Sequence, residues 1–357
     1  MRIAVPKEVK THEYRVGLCP EDCAELINAG NQVSVQSGAG LGSSFNDQQY
    51  EQVGCKIIAD PAELHNWAEM IIKVKEPQEE ELAYYRSGLI IYTYFHLAAH
   101  PQLTQKLLDI GITALAYETL QLEDGSLPCL KPMSQIAGRL AVQEGAKYLE
   151  KPFGGRGVLL SGVPGVQRGK VLVLGAGSVG VSALKIAVGM GAQVTIMDIK
   201  EPSLSHLDEI YQGRIQTLYA SEQNILKEVQ EADLIIGAVL IPGGKTPQLV
   251  KKSMLKLMKP GAVIVDVAVD QGGCVETSRP TTHDDPIYEV EGIVHYCVSN
   301  MPGAVSLTST RALTAQTLSY AKLIAREGLD KALEQNSALR HALNLRAGQI
   351  IHPALKN

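Results

Sequence analysis

The most constraining feature of this chain is Val171-Leu172-Val173-Leu174-Gly175-Ala176-Gly177-Ser178-Val179-Gly180, running on into Val181-Ser182-Ala183-Leu184-Lys185-Ile186-Ala187. The first four residues read as a buried parallel strand and the stretch after the glycines as a helix. Between them lies G-x-G-x-x-G. Gly175 permits the tight turn, Gly177 lets the backbone approach a pyrophosphate, and Gly180 allows the helix to pack closely on the strand. The helix N-terminus adds unpaired N–H groups and partial positive charge for that pyrophosphate. Such a turn alone is weak evidence. Here a second strand, Gln193–Met197, follows and ends in Asp198, 18 residues past Gly180. A carboxylate there accepts hydrogen bonds from ribose hydroxyls and repels a 2′-phosphate, which selects NAD over NADP. Lys200, two residues on, softens that discrimination.

A chain of 357 residues has room for about two domains. With 45% hydrophobic and 20% charged residues it is an ordinary globular sequence, neither disordered nor fibrous. The net charge of −5 argues against nucleic acid as a partner, because affinity for phosphate backbones comes mainly from Lys and Arg. The two long uncharged stretches, Ser87–Gln105 and Gly292–Thr310, contain His96, His100 and Pro101, and His295, Asn300 and Pro302. Those groups are too costly for a membrane-spanning helix. The first residues carry no apolar secretory segment. Six cysteines are scattered without a C-x-x-C pair or a Cys/His cluster, so they are expected to be reduced thiols of a cytoplasmic protein.

Short apolar runs alternate with amphipathic helices along the chain. Arg2–Val5, Gln32–Val35, Met70–Val74, Leu89–Tyr94 and Thr113–Ala116 form one series of expected strands. Val171–Leu174, Gln193–Met197, Leu234–Ala238, Ala262–Val267 and Ile293–Cys297 form another. Helices are expected over Pro20–Ala29, Pro101–Asp109 and Ser134–Glu150, and again from Thr308 through Leu343. The expected class is α/β: two Rossmann-like lobes with parallel sheets, separated by a cleft and connected by long helices. One lobe takes residues 1–128 plus 306–357 and the other 129–305.

Ligands of open parallel sheets bind beyond the carboxyl ends of the strands. Arg15 follows the first strand, Lys75 follows Met70–Val74, His96 follows Leu89–Tyr94, and Asp270 follows Ala262–Val267. Four ionisable groups at equivalent ends of two lobes describe a site. Each also has a plainer reading: Arg15 as a solvated loop charge, Lys75 paired to Glu76 or Glu79, Asp270 as a turn cap. His96 and His100 stand at metal-ligand spacing but lack the third ligand of a zinc site, so no metal is expected.

The chain resembles the alanine dehydrogenase family, which includes the NAD-binding component of transhydrogenases. The resemblance is carried by Met1–Val16, Lys73-Val74-Lys75-Glu76-Pro77, Phe95-His96-Leu97-Ala98, Ala116-Tyr117-Glu118-Thr119 and Pro132–Arg139. It continues in Gly154-Gly155-Arg156-Gly157, Gly162–Gly165, Asp266–Gly273, Ser278–Thr282 and Asn300-Met301-Pro302, and weakens after about Ala342. It implies an NAD-dependent enzyme interconverting L-alanine with pyruvate and ammonia, assembled as a homohexamer, the first lobe holding substrate and the second NAD. It further implies that Arg15 holds the substrate carboxylate, Lys75 the keto oxygen, and that His96 and Asp270 act as acid and base. The implied NAD contacts are Ser134, Ser178, Val179, Asp198, Val239, Leu240, Val267, Ala268, Val269, Asp270, Arg279, Val298, Ser299, Asn300 and Met301. Ser203 and Ala220 depart from residues that relatives use for NAD, so no contact is carried over to them. Two rival functions share the fold: a transhydrogenase component working beside membrane subunits, and an NAD-sensing module without catalysis. Neither needs Arg15, Lys75, His96 and Asp270 together.

Overall fold

The runs rich in Val, Ile and Leu become central strands because a parallel strand covered on both faces has no solvated side to fill with polar residues. The computed structural model describes residues 1–239 and 246–356. In chain order the strands are β1 (Arg2–Val5), β2 (Gln32–Gln36), β3 (Lys56–Ile58), β4 (Met70–Ile72), β5 (Ile90–Thr93) and β6 (Thr113–Ala116). Then come β7 (Lys170–Leu174), β8 (Gln193–Asp198), β9 (Gln216–Tyr219), β10 (Leu234–Gly237), β11 (Val263–Asp266), β12 (Ile287–Val290) and β13 (Ile293–Tyr296). The last two are β14 (Leu343–Arg346) and β15 (Gln349–Ile350).

Two units result, Met1–Met133 with Gly303–Asn357, and Ser134–Pro302. The first boundary falls inside the helix Lys131–Tyr148, and the second inside the 3-10 turn Met301–Val305, rather than at 128 and 305. In the first unit the strand order among the described residues is β15-β14-β6-β5-β4-β1-β2-β3. Side chains alternate across it, as strand geometry requires. Ile3, Val5, Met70 and Ile72 pack with Leu313, Ile324 and Leu339 of the C-terminal helices, while Ala4, Ile71 and Ile91 face Leu64, Phe95 and Leu107.

In the second unit the order is β12-β13-β11-β10-β7-β8-β9. Leu172, Leu174, Ile235 and Ile264 fill one face with Ile225, Val229 and Met254. The helix Ser178–Gly189 follows β7 directly.

Both sheets are mixed rather than wholly parallel. Strand β12 runs antiparallel to β13, β14 antiparallel to β6, and β15 antiparallel to β14. The helical reading through Leu343 therefore stops at Ala342, where the helix Ser337–Ala342 ends, and the last residues complete the first sheet. Strands β12 and β13, and β14 and β15, are joined by tight turns, which make antiparallel pairs, while β14 comes to β6 from the distant C-terminal helix Ser337–Ala342.

Candidate functional site

In each sheet the strand order reverses once beside the first strand of the series. Strand β1 leads to β2 and β3 on one side and to β4, β5 and β6 on the other; β7 leads to β8 and β9, then to β10, β11 and β13. Ligands of doubly wound sheets bind at such switch points, beyond the strands' carboxyl ends. Arg15 and Lys75 flank the switch in the first unit, and Gly175 and Val239 flank it in the second.

Gly17 brings Arg15 and Lys75 together. A Cβ on Gly17 would stand 2.4 Å from the carbonyl oxygen of Ile72, so only glycine lets this loop run along the end of β4. Arg15 is buried, not solvated. Its Nε and Nη2 donate to the two carboxylate oxygens of Glu13, at 2.6 and 2.5 Å, and its Nη1 to the sulfur of Met133 at 3.1 Å. Burial works against the guanidinium's charge, but the Glu13 bonds outweigh it and raise its pKa.

Lys75 is half-buried, and its pKa is lowered by burial and by the like charge of Arg15. The alternative pairings do not form: Glu76 binds Lys10 and Glu79 binds Lys106. Among the described residues the Lys75 ammonium has no ion-pair or hydrogen-bond partner. Thr93 Oγ1 donates to the Lys75 carbonyl at 2.9 Å, tying the end of β5 to that of β4. His96 is exposed, with left-handed backbone (φ 51°, ψ 38°), and its ring stacks on Tyr94 at 6.0 Å. A non-glycine residue held there stores strain of order 1 kcal/mol, and such strain gathers at functional sites. The arrangement of Arg15, Lys75, Tyr94 and His96 offers a surplus cation, a fixed guanidinium edge and an accessible imidazole. That set can hold an anion with a carbonyl and move a proton.

In the second unit, five neighbouring strand ends present the residues expected to touch a dinucleotide. They are Gly175 to Gly180 after β7, Asp198 at β8, Val239 after β10, Val267 to Asp270 after β11, and Val298 to Met301 after β13. The three glycines each have a different neighbourhood. Gly175 adopts φ 103°, and a Cβ there would meet the Ala238 carbonyl oxygen at 2.8 Å. A Cβ on Gly180 would stand 1.8 Å from the Gly175 carbonyl oxygen. One on Gly177 would meet nothing within 4 Å, so that position opens onto free space in front of a 12-residue helix. The cradle suits a pyrophosphate.

Asp198 is half-buried and accepts from Ala176 N at 2.6 Å and Lys200 N at 2.9 Å, each carboxylate oxygen keeping acceptor capacity for a ribose hydroxyl. Asp270 is exposed and accepts from Ser299 Oγ at 2.6 Å. Arg279 lays its guanidinium 4.1 Å from the Tyr288 ring centroid. Ser134 stands four residues before Gly138, whose Cβ would clash with the Val179 carbonyl at 2.1 Å, so their helix lies against the start of the Gly-rich turn's helix. Leu240 lies outside the described residues.

Sequence reasoning missed the carboxylates that hold these loops. Glu8 accepts from Val74 N at 2.6 Å and Lys75 N at 3.4 Å, and with Glu81 it surrounds the fully buried Lys73. Burial pushes Glu8 up to about 7 despite Lys73. Glu118 accepts from the backbone N–H of Phe95 and His96, the latter at 2.6 Å. Asp266 does the same in the second unit. The only sequence signal was their place inside motifs shared with relatives.

A parallel-stranded α/β unit with a glycine cradle, a ribose-level acid and open strand ends defines a dinucleotide-binding protein of Rossmann type. The comparisons narrow the class. The N-terminal domain profile of alanine dehydrogenase/PNT matches residues 4–137, and its C-terminal domain profile residues 141–353. The chain belongs to the alanine dehydrogenase/PNT family. It is 55% identical over 356 residues to the alanine dehydrogenase of Bacillus subtilis, covering 99% of this chain and 94% of that protein. A solved L-alanine dehydrogenase superposes with TM-score 0.97 at 50% identity, covering 100% of this chain and 98% of the other. A transhydrogenase from Sinorhizobium meliloti superposes with TM-score 0.85 at 25% identity, covering 99% of this chain and 100% of that one.

Proposed function

We propose that this protein is an NAD-dependent alanine dehydrogenase, catalysing L-alanine + NAD⁺ + water to pyruvate + ammonium + NADH + H⁺ and the reverse, with Arg15 and Lys75 binding substrate and His96 and Asp270 moving protons. The full-length similarity to alanine dehydrogenases supports the reaction. The observation that carries the residue assignment is the surplus ammonium of Lys75. Its neighbours' charges are already matched, Arg15 by Glu13 and Lys10 by Glu76, so Lys75 awaits an oxygen from a ligand.

Bound NAD supplies the hydride acceptor. Residues of this chain do the rest. Glu13 fixes the Arg15 fork through Nε and Nη2, and the guanidinium held in this way takes the substrate carboxylate. Lys75 donates to the pyruvate keto oxygen and polarises it. Oxidation leaves an iminium at alanine Cα; water adds to it and ammonia leaves. Asp270 activates that water and balances the iminium charge, while the His96 imidazole exchanges the protons. The Lys73-Glu8-Glu81 cluster and Glu118 hold the two backbone segments that carry Lys75 and His96. On this reading the first unit is the substrate domain and the second the NAD domain. Neither rival reading gives the surplus Lys75 charge a task. No helix among the described residues is long and apolar enough to cross a membrane. The six free, buried cysteines suit a reducing, cytoplasmic setting. Assembly as a homohexamer completes the proposal, and sedimentation velocity reads it directly.

Arg15→Lys tests the binding assignment. It keeps the charge but loses the fork, so KM for alanine and pyruvate should rise by a factor equivalent to about 1.5–3 kcal/mol while kcat changes little. A variant with an unchanged KM would overturn the role.

A further inference from the structure

We propose that Asp266 is a positioning residue for Asp270: a buried carboxylate that staples both ends of the loop carrying it. The inference rests on the role given to Asp270 above. Asp266 closes β11 and is wholly inaccessible to solvent. Its Oδ1 accepts from Ala268 N at 3.1 Å, two residues before Asp270. Its Oδ2 accepts from Cys274 N at 2.8 Å, Val275 N at 3.2 Å and Ser278 Oγ at 2.6 Å, all after it. Within that staple the turn closes on itself. Gln271 N and Gly273 N donate to the Ala268 carbonyl at 2.9 and 3.1 Å, and Gly272 N to the Val269 carbonyl at 3.0 Å. Asp270 rides at the exposed apex, held from outside by Ser299.

A buried carboxylate without a cation is expensive, and among the described residues no cation pairs with Asp266. Burial raises its pKa, and the Ser278 and backbone donors offset only part of that rise. Backbone packs tightly around it: a Cβ on Gly237 would come within 2.9 Å of Oδ1, and one on Gly273 within 2.7 Å of Oδ2. Both oxygens face N–H donors, so an ionised carboxylate satisfies the site and an amide does not. In Asp266→Asn the NH2 group meets either Ala268 N–H or those of Cys274 and Val275, whichever way it turns. The isosteric change therefore shifts the loop without altering side-chain volume.

The test is a double-mutant cycle on kcat for alanine oxidation in the full-length enzyme, with Asp270→Asn as the second change and Ser278→Ala as a milder perturbation of the same staple. Displacing a reacting group by about 1 Å costs on the order of 10²-fold, so Asp266→Asn should lower kcat by about that factor and Ser278→Ala by less. If Asp266 acts through Asp270, both losses should vanish in the Asp270→Asn background, leaving the double variants within about twofold of Asp270→Asn alone. A loss that persists undiminished in that background, or wild-type turnover of Asp266→Asn, would overturn the inference. Should Asp266→Asn fail to fold, the Ser278→Ala cycle decides it by the same criterion. Near-normal turnover of Asp270→Asn alone would instead overturn the role of Asp270, and this inference with it.

Discussion

Gly177 and Gly180 look alike in sequence, yet the structure assigns them different work, and alanine at each position should separate the two. Gly177 is the residue before the helix Ser178–Gly189, with φ −79° and ψ −170°, a backbone any residue adopts. An added methyl would meet nothing within 4 Å. Alanine before a helix costs about 0.5–1 kcal/mol relative to good caps. Gly→Ala at a compatible position returns about 0.4–1 kcal/mol by narrowing the unfolded ensemble. The two nearly cancel, so the free protein's Tm should move by less than about 2 °C. The methyl would however stand in the space where a pyrophosphate approaches, and NADH affinity should fall by about 10- to 100-fold, roughly 1.4–2.7 kcal/mol. Gly180→Ala is another matter. Its methyl would stand 1.8 Å from the Gly175 carbonyl oxygen, against an ordinary carbon–oxygen contact of about 3.3 Å. The turn must open by about 1.5 Å, at a cost of about 1–3 kcal/mol in stability besides the lost cofactor site. Thermal melting of the ligand-free variants and calorimetric titration with NADH read both effects. A Gly177→Ala protein that binds NADH as tightly as the parent would refute the cradle.

Asp198→Ala should weaken NAD binding and raise relative use of NADP, since the charge opposing a 2′-phosphate goes while Lys200 remains; an unchanged NAD/NADP ratio of kcat/KM would disprove the ribose assignment. The same variant strands the Ala176 N–H, so affinity for both cofactors should drop by about 1–3 kcal/mol. Lys75 predicts a pH dependence. Burial and Arg15 lower its pKa in the free protein, and a keto oxygen or carboxylate favours the charged form. Pyruvate affinity of the NADH-loaded enzyme should hold at low pH and fall as pH rises through that lowered pKa. Lys75→Met should bind weakly with a flat profile over that range, and a parent affinity that improves with pH would refute the reading.

The ten central strands were legible because they are largely buried and read as short apolar runs interrupted by few polar residues. The four sheet edges were not. Lys56–Ile58, Gln216–Tyr219, Ile287–Val290 and Gln349–Ile350 are half-exposed and carry polar residues, so neither alternation nor an apolar run marks them. Leu343–Arg346 was absorbed into the preceding helical pattern, because its pairing with β6 joins residues over two hundred positions apart. The glycine cradle was legible residue by residue, since each glycine answers a local steric demand. Glu8, Glu118 and Asp266 were not, because each acts on backbone N–H groups whose identity leaves no trace in the sequence. Arg15 was legible as a site residue but not as the buried partner of Glu13; the motif gives its place, and only the fold gives its charge balance.

The central claim is that one chain oxidises alanine with NAD through an imidazole that is not part of the cofactor cradle. Its most direct test is NADH formation on mixing protein, NAD and L-alanine, for the parent and for His96→Ala, with NADH binding and Tm measured on the same samples. The parent should form NADH only when alanine is present. His96→Ala should keep its Tm and its NADH affinity while kcat falls by about 10²–10⁴-fold. A folded, NADH-binding His96→Ala protein with near-normal turnover, or a parent that forms no NADH from alanine, would contradict the account.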